Sequence, residues 1–169
     1  RWVRSGVLGL AVALSALSPP ASAQTLAPAV TVSDFAPVAL TGAPSPTTAT
    51  MSDFSVTDTA GAGWNVTVAA TQFREYDSGT GQYVSGGRTL PVGSLSMVAP
   101  SVDPTSASVA VGAGPHAIDG ATVKIVSAGS GTPGTWQFTH GGPLTLTVPA
   151  SAYAVVYRSE ITVAVASGP

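Results

Sequence analysis

The chain has 169 residues, six of them basic and eight acidic, for a formal net charge of −2, and charged residues make up only 8% of it against about 25% in ordinary soluble domains. A nucleic-acid binder needs clustered Lys and Arg to displace counterions, so this sparse, scattered set excludes that class. Cysteine is absent, which excludes zinc–thiolate sites, cysteine nucleophiles and disulfide staples and leaves core burial to hold the fold.

Residues 1–23 read as a secretory signal. Arg1 and Arg4 form a positive start, Gly6 to Leu17 an apolar stretch, Pro19-Pro20 a stop, and Ala21-Ser22-Ala23 supplies small residues before a cleavage point. The apolar run is too short to cross roughly 30 Å of hydrocarbon, so a signal removed after Ala23 is expected rather than a membrane anchor. The chain opens on Arg rather than Met. From Gln24 onward the basic residues are Arg74, Arg88, Lys124 and Arg158, facing all eight acidic ones, formally −4.

Glycine and proline recur through the rest, and the residues between them alternate with period two, the pattern of many short strands joined by turns. Val30-Thr31-Val32-Ser33 is expected to begin the fold, within a segment 24–46 that reads as an N-terminal strand and a Pro-rich loop (Pro37, Pro44, Pro46), part of the domain or a leader to it. The main domain is expected over 47–169. Thr48 to Val56 and Trp64 to Phe73 are predicted strands, and alternation puts Trp64, Val66 and Val68 inward and Asn65 and Thr67 outward. Arg74 to Pro91 reads as an exposed excursion tipped by Asp77-Ser78-Gly79-Thr80-Gly81, with Tyr76 and Tyr83 beside the tip. Tyr83-Val84 and Leu95 to Val98 return as strands, and Ser101 to Pro115 is predicted as a long loop. Strands at Ala121 to Ser127, Trp136 to Thr139 and Leu144 to Val148 follow, then one helical turn at Pro149 to Ala154. The last strand, Tyr157 to Ala166, turns Tyr157, Ile161, Val163 and Val165 to one side. The fold class predicted is all-β: an antiparallel β-sandwich of about eight or nine short strands, with an open barrel as second choice.

The order of motifs from Asp58 onward resembles the WxL family of secreted surface domains of Gram-positive bacteria. Asp58-Thr59-Ala60-Gly61 and Gly63-Trp64-Asn65-Val66 match its Asp- and Gly-rich turn and proximal Gly-Trp-x-Leu, and Thr71-Gln72-Phe73 matches the strand after it. Leu90-Pro91-Val92-Gly93-Ser94-Leu95, Gly131-Thr132-Pro133-Gly134-Thr135-Trp136 and Leu144-Thr145-Leu146-Thr147-Val148-Pro149 follow in the family's order. The closing motif aligns with Tyr157, Thr162-Val163-Ala164-Val165 and Pro169. Two departures stand out: Val66 replaces the proximal Leu, and Val163 and Val165 replace the distal Trp and Leu. The resemblance implies non-covalent attachment to the peptidoglycan of the cell wall, alone or within multiprotein surface complexes. No LPxTG-like sorting signal occurs, so retention on the cell is expected to be non-covalent.

Among residues that bear chemistry, Asp58 reads as an Asx-type turn residue bonding backbone N–H groups, with a cation or sugar-hydroxyl site as the alternative. Trp64 reads as a core anchor, with a glycan-stacking platform as the alternative, and Trp136 as half-exposed beside Gly and Pro. Asn65 and Thr162, on the polar sides of the two motif strands, complete the candidate ligand-binding set of Asp58, Trp64, Asn65, Trp136 and Thr162. His116 and His140 lie in loops without carboxylate partners in sequence, and no metal or other cofactor is implied. Glu75 and Glu160, the two glutamates, lie one residue after Arg74 and two after Arg158 and read as polar-face residues rather than a hydrolase pair. No Gly-x-Ser-x-Gly elbow occurs. The expectation is a non-catalytic wall-binding protein with peptidoglycan or another wall glycan as partner, and no membrane contact after signal cleavage. Alternatives are a subunit of a surface assembly that pairs through its terminal strand, and a soluble glycan-binding module.

Overall fold

The computed structural model describes residues 24–103, 109–112, 114–131, 133–139 and 143–168; the signal-like segment, His140 and Pro169 lie outside them. The strands are β1 Gln24–Ala27, β2 Ser45–Ala49, β3 Phe54–Asp58, β4 Trp64–Ala70, β5 Arg74–Asp77, β6 Gln82–Tyr83, β7 Leu95–Met97, β8 Ser101–Val102, β9 Ala110–Val111, β10 His116–Ala117, β11 Val123–Ala128, β12 Gly134–Thr139, β13 Leu144–Val148, β14 Tyr157–Arg158 and β15 Ile161–Ser167. They form four sheets ordered β1-β3-β12-β8, β10-β7-β13-β2, β15-β4-β11-β9 and β14-β5-β6. Every pairing is antiparallel. The fold is all-β, and no sheet closes into a barrel.

The register shows that these four sheets are two bent layers. Ser45–Ala49 lies along Leu144–Val148 with Ser45 opposite Val148, and Phe54–Asp58 lies along Gly134–Thr139 with Phe54 opposite Phe138, one residue out of step. β2 and β3 are therefore one strand interrupted at 50–53, running beside β13 and β12. β7 and β8 continue one another along the same partner. In the second layer β4 with β5 runs beside β15 with β14, again one residue out of step across the break.

Serine and threonine hydroxyls splice these breaks. Ser33 Oγ accepts the Thr50 N–H at 2.9 Å and Ser52 Oγ accepts the Thr31 N–H at 3.0 Å. Thr71 Oγ1 accepts the Glu160 N–H at 2.9 Å while Ser159 Oγ donates to the Thr71 carbonyl at 2.5 Å. A buried ladder cannot leave backbone groups unpaired, and a hydroxyl bonds the backbone where strand geometry fails. The abundance of Thr and Ser thus has a structural role as well as a solvent-facing one.

The core lies between the layers. Trp64 of β4 packs edge-on against Trp136 and Phe138 of β12, with centroids 5.2 and 5.8 Å apart, and Phe138 stacks on Phe54 of β3 at 5.0 Å. Leu95, Met97, Leu144 and Leu146 fill the other half, and Phe35 meets Phe73 edge-on at 6.1 Å. Alternation along β4, β12, β13 and β15 sends the expected residues inward.

Several local expectations change. The fold begins at β1 rather than at Val30-Thr31-Val32-Ser33, where only Val32 makes an isolated bridge, to Met51. Pro28, which has no N–H to donate, follows β1 directly. Segment 24–46 belongs to the sandwich, since β1 pairs β3 and Val30 and Phe35 are core residues. Pro149 to Ala154 makes a hydrogen-bonded turn, Ala152 N–H to Pro149 O at 3.0 Å, not a helical one. The final strand splits at Ser159 into β14 and β15, which sit in different sheets.

Candidate functional site

The first of two candidate corners is built on the Asp58 motif. Asp58 ends β3 with 1% of its surface exposed. Its Oδ1 accepts the N–H groups of Ala60 (3.1 Å) and Gly61 (2.9 Å), and its Oδ2 accepts that of Gly63 (3.0 Å). Burial pushes the carboxyl pKa up, but the bonds from Gly63, Ala60, Gly61 and Ala62 together outweigh it and hold it below the ordinary 3.8. Gly61 and Gly63 have φ of +66° and +85°, and a Cβ on either would run into the backbone of residues 128–131. Glycine is thus required at both positions by conformation and by space.

The turn also gathers the ends of distant strands. Ser167 Oγ donates to Gln24 Oε1 at 2.9 Å, Asn65 Nδ2 donates to the Gly168 carbonyl at 2.7 Å, and the Gly168 N–H reaches the Gly63 carbonyl at 3.0 Å. β15 pairs with β4 along its whole length, from Ile161 opposite Ala70 to Ser167 opposite Trp64. The two motif strands, far apart in sequence, are therefore neighbours.

Four of the five sequence candidates meet here: Asp58, Trp64, Asn65 and Trp136. Each is engaged in holding the fold. Trp64 has 0% exposure and Trp136 7%, so Trp136 is a core residue rather than half-exposed, and neither ring offers a face to a sugar. The Trp64 Nε1–H is buried with no hydrogen-bond partner. Thr162 is the fifth; it is exposed on β15 beside Ala69, five residues or about 17 Å from Ser167 at strand rise. Val163, at the distal Trp position of the resembled motif, is 4% exposed and points into the core opposite Val68.

The second corner is the small sheet β14-β5-β6 and the loops around it. All four tyrosines of the chain, all three arginines after residue 23, and both glutamates fall in two segments, 74–88 and 153–160. Pairing of Tyr157 with Glu75, Arg158 with Arg74 and Tyr76 with Tyr83 brings those segments together. Each arginine lies over a tyrosine ring: Arg74 over Tyr83 (5.3 Å to the centroid), Arg158 over Tyr76 (4.6 Å) and Arg88 over Tyr153 (3.2 Å). Neither glutamate forms an ion pair with its neighbouring arginine; Glu75 Oε2 instead accepts the Arg88 backbone N–H at 2.9 Å. The tip expected at 77–81 is present. Asp77 accepts the Gly79 N–H (2.9 Å) and the Thr80 hydroxyl (3.0 Å), which hold its pKa below the usual value.

Beside this sheet runs an open groove of about 440 Å³ lined by Arg88, Thr89, Leu90, Pro91, Pro149, Ser151, Ala152, Tyr153 and Tyr157. Tyr157 lies in its floor, nearly inaccessible, and burial raises its phenol pKa. Tyr153 stands on its rim, 53% exposed. Sequence reasoning marked Tyr76 and Tyr83 and missed Arg88, Tyr153 and Tyr157. The available signal was the confinement of every Tyr and every late Arg to two short segments.

Two further acidic and basic groups lie apart from both corners. Asp119 is buried and clamps the Gly93 and Leu95 N–H groups at 2.9 and 3.1 Å, a second carboxylate turn that the sequence did not mark. His116 is in β10 rather than a loop, with its Nε2 buried and unpartnered. No group of three or more His, Cys, Asp or Glu able to hold a metal exists among the described residues.

Comparison with family models, with curated proteins and with solved structures finds no match to this chain.

Proposed function

We propose that this chain is an exported, non-catalytic domain of a Gram-positive cell surface that attaches without covalent linkage to peptidoglycan or another wall glycan. The observation that carries the reading is the exposed tyrosine–arginine corner on an otherwise nearly uncharged sandwich. Tyrosine and arginine are the residue types that concentrate binding energy, because each presents a large, stiff contact surface together with hydrogen-bond donors. The signal-like segment 1–23 and the ordered WxL-like motifs agree with it. In this reading the family's Trp positions serve the fold, and the tyrosine–arginine corner serves the ligand. The test is co-sedimentation of the protein from Gln24 onward with purified peptidoglycan freed of teichoic acid. Retention across ordinary salt and pH is expected; failure to sediment removes the reading. Binding of soluble oligosaccharides without retention on walls points instead to a soluble glycan-binding module.

One observation favours a second reading, a subunit of a surface assembly. β15 lies at the edge of its sheet and pairs only with β4 among the described residues. Bonds from Thr71 N–H to Glu160 O and from Gly168 N–H to Gly63 O set the ladder phase, so the backbone groups of Ile161, Val163 and Val165 face away from β4. Such an edge accepts a partner strand. Val163→Pro removes only an outward N–H, leaves the β4 ladder intact, and is expected to abolish concentration-dependent oligomers in sedimentation velocity if this reading holds.

A further inference from the structure

The wall-binding reading does not say which chemical group the groove beside β14 recognises. We infer, resting on that reading, that the groove formed by Arg88, Tyr153, Tyr157 and Ser151 binds a saccharide through a free carboxylate, with Arg88 as the anion-binding residue. Arg88 is the one formally charged side chain among the nine lining residues, and the lining holds no carboxylate. It is an unneutralised cation in a chain where acidic residues outnumber basic ones.

The geometry leaves its binding edge available. One face of the guanidinium is covered by the Tyr153 ring at 3.2 Å from the centroid, and no carboxylate among the described residues forms an ion pair with it. A guanidinium covered on one face keeps the N–H groups of its planar fork as donors, and such a fork meets a carboxylate in bidentate fashion. The backbone beneath is fixed, since Glu75 Oε2 accepts the Arg88 N–H at 2.9 Å and the Glu75 N–H donates to the Arg88 carbonyl at 2.7 Å. That same contact occupies one Glu75 oxygen, and Glu75 forms no ion pair with the guanidinium.

The rest of the groove is complementary to a sugar rather than to a bare anion. The Tyr157 hydroxyl accepts the Tyr153 N–H at 3.3 Å, so its own proton remains to be donated to an acceptor, and Ser151 adds a second hydroxyl. Pro91 and Pro149 line the groove with apolar surface suited to the C–H face of a pyranose ring. A volume of about 440 Å³ falls within the range of small-molecule sites. A cation and hydroxyl donors in a lining without a carboxylate select an acceptor-rich, negatively charged ligand over a neutral one.

The experiment titrates the purified protein, by NMR, with two pairs of sugars that differ in a carboxylate: N-acetylmuramic acid against N-acetylglucosamine, and glucuronic acid against glucose. Inorganic phosphate serves as competitor. The acidic member of each pair is expected to bind about tenfold tighter or more. Arg88→Gln is expected to erase the difference, Arg88→Lys to keep part of it, and Lys124→Gln, the same charge change on another sheet, to leave it intact. Near-ultraviolet circular dichroism from the Trp64–Trp136 pair reports that each variant is folded, and the wild-type comparison decides by itself if Arg88→Gln is not. Equal binding of acidic and neutral sugars, or a preference that survives Arg88→Gln, overturns the inference. Displacement by phosphate at the same concentration overturns it as well, since the groove then reads any anion. If walls still retain the protein in those cases, wall attachment stands and only the carboxylate assignment falls; loss of wall retention sinks both.

Discussion

At the Asp58–Trp64 corner the buried side-chain polar atoms, Trp64 Nε1 apart, are answered from within the chain: the carboxylate by three backbone N–H groups, Asn65 by the Gly168 carbonyl, Ser167 by Gln24. At the Arg88–Tyr153 corner each arginine lies over a tyrosine ring and none is ion-paired among the described residues. The first corner is the more conspicuous in sequence and the second the more available in space. A motif dense in Asp, Gly and Trp can be conspicuous because a tight turn into a buried strand requires those residues, whatever the domain binds. Groups left unanswered within the chain mark where a partner would supply the answer.

The largest effect that would test this contrast is Trp64→Ala. It leaves a cavity between the layers beside Trp136 and Phe138 and is expected to lower stability by about 3–5 kcal/mol, read in urea unfolding; a loss below about 1 kcal/mol would mean that Trp64 does not anchor the core. Asp58→Asn comes next. An amide cannot accept all three N–H bonds at buried positions, and the expected loss is about 2–3 kcal/mol at pH 6. Because the folded carboxyl titrates below 3.8, its contribution is complete above the unfolded value and is lost as pH falls through the lower folded one. The gap between wild type and Asp58→Asn should therefore narrow at pH 3; a constant gap would show that the carboxylate's charge is not what stabilises the turn.

Val163→Trp restores the residue of the resembled motif and separates the two roles directly. Val163 faces the core, so overpacking is expected to destabilise by about 1–3 kcal/mol without improving retention on peptidoglycan. Improved retention at unchanged stability would instead place that position in a ligand site. Arg88→Gln sits at the other extreme: unfolding free energy within about 0.5 kcal/mol of wild type, with retention on walls weakened. A stability loss without a binding loss would make the tyrosine–arginine corner structural like the first.

Much of the fold was legible in local pattern. Alternation placed Trp64, Val66, Val68, Leu144, Leu146 and Val163 inward, and β13 spans the expected Leu144 to Val148. Asp58 ahead of two glycines read correctly as a backbone-bonding turn. The interruptions that divide long strands into β2 and β3, or β14 and β15, were not legible, because the splices are made by hydroxyls from another strand, such as Ser33 at Thr50 and Thr71 at Glu160. Asp119 escaped for the same reason: its partners at Gly93 and Leu95 lie more than twenty residues away. Trp136 was misjudged because neighbouring Gly and Pro suggest a loop, whereas pairing with Phe54–Asp58 carries it into the core.

By itself, then, the order of residues determined which face of each strand is apolar, where the turns fall and that the domain is all-β, since pleat and turn chemistry act over a few neighbours. Only the tertiary structure decided which strands lie side by side, that Trp136 is carried into the core, and that Arg88, Tyr153 and Tyr157 line one groove. Those outcomes depend on ladders closed across some seventy residues or more, as between Glu75 and Tyr157, and a local pattern carries no information about which distant strand will complete its hydrogen bonds.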